Sequence, residues 1–103
     1  MGTVRTRRWD AAEHLEDEAD IVAYLDAILE EGDAQLVAAA LGDVVRSRGM
    51  ARIARESGLA REGLYRSLSS QGNPELATIL KVIEALGLRF TVQPRRVQEH
   101  AQA

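Results

Sequence analysis

Six arginines fall between residues 46 and 66: Arg46, Arg48, Arg52, Arg55, Arg61 and Arg66. Only Glu56 and Glu62 oppose them, so this stretch carries a local charge of +4. A guanidinium presents a planar fork of donors that fits a phosphate or the edge of a guanine. If Leu64 and Leu68 point inward on a short helix, Glu62, Tyr65, Arg66 and Ser69 point outward, and Arg61 projects from the first turn. From there Arg61 and Arg66 can each bond guanine O6 and N7, and Glu62 can accept from cytosine N4. Ser67, Ser69, Ser70, Gln71 and Asn73 are polar donors suited to phosphate contacts. The plainer reading of residues 50–70 is two core helices with a solvated arginine face.

A second charged group lies upstream. Residues 10–33 hold ten acids and no lysine or arginine. The net charge of -3 therefore hides an acidic stretch followed by a basic one. What a partner meets is the local field, not the average. The acids are an electrostatic match for a basic partner. They also fit the solvated face of an amphipathic helix.

Enzyme chemistry finds little support. Glu30 and Glu31 are adjacent, so they point to different helix faces and cannot share acid and base roles. No glycine-rich phosphate loop follows a strand, and no Ser, His and Asp set sits in a recognisable context. There is no cysteine, and the two histidines, His14 and His100, would need carboxylates to complete a zinc site. The expectation is a non-enzyme with no cofactor and no metal.

Several elements are needed to hold the arginine face. Ile21, Tyr24, Leu25, Ile28 and Leu29 predict a helix over 18–31. Gly32 is placed to end it and Asp33 to cap the next, over 34–48, whose stripe is Leu36, Val37, Ala40, Leu41, Val44 and Val45. Short helices follow over 50–57 and 60–70, turned at Gly58-Leu59. Ala54 is small enough for a close helix crossing, and Gly58 suits the positive φ of a sharp turn. Asn73 as N-cap and Pro74 at the first helical position introduce a helix over 75–86, ended by Gly87. Residues 88–93 alternate as a strand does, and a lone strand needs an edge that a second copy of the chain could supply.

The 103 residues are 46% apolar and 28% charged, which fits one globular domain. Its expected extent is 1–94, with an arm over 1–9 and a flexible tail over 95–103. The longest apolar run, Leu36 to Leu41, is too short to span a membrane, and the N-terminal arginines precede no apolar run. These features point to a small cytoplasmic protein.

Residues 50–86 resemble the XRE/Cro-type helix-turn-helix. The wider chain, about residues 4–94, resembles the HigA-like addiction-module antidote family. The resemblance is carried by Trp9-Asp10, Tyr24-Leu25, Glu31-Gly32-Asp33, Ala39-Ala40-Leu41-Gly42-Asp43, Arg48-Gly49-Met50, Gly63-Leu64-Tyr65, Gly72-Asn73-Pro74 and Leu86-Gly87-Leu88. Arg61-Glu62-Gly63-Leu64-Tyr65, followed by Leu68-Ser69 and Gly72-Asn73-Pro74, is the most specific part. The resemblance implies an antitoxin that binds a RelE/ParE-like toxin and represses its own operon as a DNA-binding dimer. One position departs: Met50 stands where many such domains carry a polar residue that touches phosphate. Arg48 or Arg52 is then the substitute. Toxins of this kind are typically basic, which favours toxin contact through residues 1–31. Trp9, His14, Leu15 and Tyr24 are the candidate anchors there, with Tyr24 equally suited to the core.

The expected architecture is all-α: a small helical bundle containing a helix-turn-helix, with a short C-terminal β-strand. The expected partners are double-stranded DNA at the chain's own operator, a RelE/ParE-like toxin and a second copy of the chain. Two rivals remain: a stand-alone XRE-type repressor without a toxin, and an interaction module that has lost DNA binding.

Overall fold

The computed structural model describes residues 15–95. Among them are five helices: α1 (Glu18–Glu31), α2 (Ala34–Arg48), α3 (Met50–Ser57), α4 (Arg61–Ser67) and α5 (Leu76–Ala85). The first three match the spans predicted from apolar spacing. α1 opens with a reciprocal cap: Asp20 N donates to Asp17 Oδ1 at 2.9 Å, and Asp17 N donates to Asp20 Oδ2 at 3.3 Å. Two orphan amides at the helix start are thereby satisfied. Gly32 closes α1, and the Asp33 carboxylate accepts from the amides of Gln35 and Leu36 to open α2, as expected.

The core is apolar throughout. Leu41, Val44, Val45, Ile53, Leu64 and Val82 are its most deeply buried large side chains, and no described polar or charged residue is buried. α3 lies at the centre of the packing, in contact with α2, α4 and α5, while α1 packs on α2. α2 passes so near the end of α4 that a Cβ at Gly42 would collide with the Leu68 carbonyl oxygen. Only glycine fits there, which explains a residue that otherwise weakens a helix interior.

Three expectations need correction. The helix predicted over 60–70 ends at Ser67. Its serines compete for the backbone: Ser67 Oγ donates to Gly63 O at 2.8 Å, and Ser69 Oγ donates to Arg66 O at 3.1 Å. Gly72 N then closes a turn onto Ser69 O. The last long helix starts at Leu76, not beside Asn73. Its N-cap is Glu75, without a side-chain bond, and the first turn is closed by Ile79 N donating to Glu75 O. Asn73 is therefore not a cap, and Pro74 lies before the helix rather than in its first position. The strand over 88–93 is not formed: residues 88–95 carry no regular structure. The described chain offers no strand edge for it to pair with. Leu88 N donates instead to Ile83 O at 3.0 Å, which folds Leu88 back onto the core.

No described helix is long and apolar enough to cross a membrane.

Candidate functional site

α3 and α4 are both too short to persist alone, and neither has a side-chain cap. They persist because of what they bury. Met50 and Ile53 of α3, Leu64 of α4 and Leu68 just after it enter the core, while Ala54 and Leu59 pack against it. Gly58 sits between the helices at φ 77°, the left-handed conformation the turn requires. Its N–H and that of Leu59 both donate to Ala54 O, at 2.9 and 3.2 Å. Ser57 Oγ adds a bond to the same carbonyl at 3.3 Å. The turn is thus fixed from one point, and the direction of α4 is fixed with it.

With Leu64 and Leu68 inward, the outer side of α4 presents Arg61, Glu62, Tyr65 and Arg66, all exposed. The Arg61 guanidinium lies 5.8 Å from the centroid of the Tyr65 ring, within cation–π range. Tyr65 is half exposed, so the pair forms a ledge rather than a buried contact. Glu62 and Arg66 have no ion-pair partner among the described residues. A Cβ built on Gly63 meets nothing, so the backbone of α4 is open at that point.

The remaining predicted residues divide. Arg52 is exposed on α3 but paired: its Nε lies 3.3 Å from Glu56 Oε2 one turn on. Ser69 accepts from Gln71 N as well as donating to Arg66 O, so its hydroxyl is engaged locally. Asn73 is exposed in the loop before α5. Met50, at the departing position, is buried, so its side chain faces the core. Arg48 and Arg52 line a groove with Glu18, Ile21, Ile53 and Leu88 that encloses about 210 Å³. Small-molecule pockets run larger, roughly 300–1,000 Å³.

On the acidic side two anchors are accounted for. Leu15 is a core residue at 8% exposure, packed with Ile21 and Leu25. Its side chain faces the core rather than the surface expected of an anchor. Tyr24 is half-buried against the core, and its hydroxyl donates to Asp43 Oδ2 at 2.8 Å. Arg46 reaches the other oxygen, Nη2 to Oδ1 at 2.7 Å. This three-residue tie from α1 to α2 was not anticipated, because residues 19 positions apart in sequence leave no local signal. Trp9 and His14 lie outside the described residues.

A family model described as "Probable addiction module antidote protein" matches residues 5–94. The chain belongs to that family. An uncharacterized protein of Haemophilus influenzae is 49% identical to this antidote-family chain over 94 residues, covering 91% of the chain and 97% of the relative. No solved structure matches it. An antidote of an addiction module has a toxin as its counterpart, so the surfaces above are to be read with a toxin partner in mind.

Proposed function

We propose that this chain is the antitoxin of a type II toxin–antitoxin module of the HigA-like kind. It neutralises a RelE/ParE-like toxin by direct binding and represses its own operon as a homodimer. α3 and α4 act as an XRE/Cro-type helix-turn-helix, with α4 entering the major groove. The observation that carries this reading is the outer face of α4. Two arginines, a glutamate and a tyrosine stand exposed on a helix whose own inner residues are locked into the core. The Arg61–Tyr65 contact, one turn apart, holds both side chains on this outer face. Arg61 and Arg66 read base edges, Glu62 and Tyr65 flank them, and Ser69, Asn73 and Arg52 serve the phosphates.

The dimer reading is supported by exposed apolar side chains on α5 and the segment after it. Leu76 is 67% exposed and Leu80 47%, one turn apart on α5. Phe90 and Val92, in the segment expected to be a strand, are exposed as well. Pairing two copies here would bury these four side chains and give residues 88–93 the edge they lack. A two-fold dimer would then offer two α4 helices to half-sites about one DNA turn apart, near ~34 Å. The domain boundary at 94, the arm over 1–9 and a cytoplasmic location belong to the same reading.

Fluorescence anisotropy of the purified chain on its own upstream DNA tests this across a salt series. The series is run with and without the product of the adjacent small gene. Sequence-selective binding that falls steeply with salt and changes when that product is added is the expected result. Selective binding indifferent to the neighbour would make the chain a stand-alone repressor. No preference over random DNA at low salt would leave an interaction module.

A further inference from the structure

The acidic stretch is not one feature. Of the acids in residues 15–33, Asp17, Asp20 and Asp33 are engaged as helix caps. Glu18, Asp26, Glu30 and Glu31 have no hydrogen bond or ion pair among the described residues. They belong to α1, whose inner side is occupied by Ile21, Tyr24, Leu25 and Ile28. On the flank beside Leu25, Val22 is 48% exposed and Leu29 42%. These two are seven residues apart, so they lie on one side of the helix about 10 Å from each other along the axis. Ala19, Ala23 and Ala27 are exposed on the outer side too, leaving the helix slim enough for another backbone to approach closely. The outer side of α1 thus carries a narrow apolar strip with Glu18 on one edge and Asp26 and Glu30 on the other, none of them in an ion pair among the described residues.

We propose that this outer side of α1, centred on Val22 and Leu29 and edged by Glu18, Asp26 and Glu30, is the surface that docks the toxin. The occupant is a basic surface of the toxin with an apolar centre. Charge selects it: the acids repel an acidic or polyanionic partner and attract lysine and arginine. The apolar strip supplies what the rim charges cannot, a desolvated centre. The inference rests on the antitoxin reading above. It moves the contact away from Leu15 and Tyr24, which face inward, to residues the helix turns outward.

The test uses the full chain and the purified product of the adjacent small gene, with affinity measured by calorimetry. Two double variants are compared with the wild type: V22S/L29S, and D26K/E30K. E84K, at an exposed position of α5, is a single charge-reversal control, and circular dichroism with thermal melting checks each fold. Juxtaposed like charges are costly, so D26K/E30K is expected to weaken binding roughly 100-fold. V22S/L29S is expected to weaken it roughly 10-fold, and E84K to leave it unchanged. Folded variants that both bind as tightly as the wild type would overturn the α1 surface while leaving the antitoxin reading intact. No binding by the wild-type chain would overturn both.

Discussion

α1 and α4 are amphipathic helices on one core, yet they are held and dressed in opposite ways. α1 has 14 residues, a reciprocal cap of two aspartates and no basic residue in its last turn. α4 has seven residues, no side-chain cap and an arginine at each end of its outer face. The first packs on α2 through Ile21 and Leu25, caps its own first turn and is outwardly acidic. The second is held by packing and is outwardly basic. A short helix held by its neighbours cannot be moved without moving them, so its outer side chains are rigidly aimed. A long self-capped helix tolerates change on its outer side. Such a division suits a molecule that meets two partners of opposite charge.

The contrast is tested most severely in the core. Ile53 is fully buried in α3, between α2, α4 and α5. Ile53→Ala should cost about 2–5 kcal/mol in urea denaturation, since the cavity cannot be filled by a rigid neighbourhood. It should weaken DNA binding as well, because α4 loses its support. Val22→Ala on the outer side of α1 should stay within about 0.5 kcal/mol of the wild type. Comparable losses at both sites would mean that the outer side of α1 is packed as tightly as the core.

On α4 the expected effect is on binding rather than stability. Arg61→Ala and Arg66→Ala should each weaken operator binding by about 1–3 kcal/mol and relax the preference at one base position. Their thermal midpoints should not move. A loss spread evenly over all DNA sequences would assign these arginines to phosphates instead.

Most of the fold was legible because apolar spacing is written locally. The spans of α1, α2 and α3, the Gly32-Asp33 junction and the Gly58 turn each depend on residues within a few positions. Gly42 was not legible, because the reason for it is the Leu68 carbonyl, reached only through the tertiary fold. The tie between Tyr24 and Asp43 was hidden for the same reason. Asn73-Pro74 misled, since a good capping pair need not be used when the packing of Ile79, Val82 and Ile83 sets where the helix starts. The outer residues of α4 followed directly from placing Leu64 and Leu68 inward. Leu15 did not, because it precedes the periodic segment and its burial depends on the approach of Ile21 and Leu25.

A smaller effect sharpens the account of α1. Asp17→Ala removes one half of the reciprocal cap and leaves the Asp20 amide without its carboxylate. The expected cost is about 0.5–2 kcal/mol in urea denaturation. Because α1 packs on α2 and not through α4, operator affinity should change little. An equal fall in DNA binding would mean that α1 and the α3–α4 pair move as one unit.

The smallest effect concerns Arg52, where the two roles of a charge oppose each other. Arg52 lies 3.3 Å from Glu56, and both side chains are about half exposed, at 54% and 43%. Breaking this pair with Glu56→Gln should cost only about 0.3–0.5 kcal/mol of stability, as exposed pairs one helical turn apart do. The same change removes a carboxylate from beside a cation expected to meet phosphate. Operator affinity should therefore rise slightly as stability falls, and the gain should shrink with added salt. Arg52→Ala should lower both. Opposite signs for E56Q and equal signs for R52A would identify Arg52 as a phosphate contact held in reserve by its neighbour. If E56Q lowers affinity instead, the pair orients Arg52 for the DNA, and the carboxylate belongs to the binding surface.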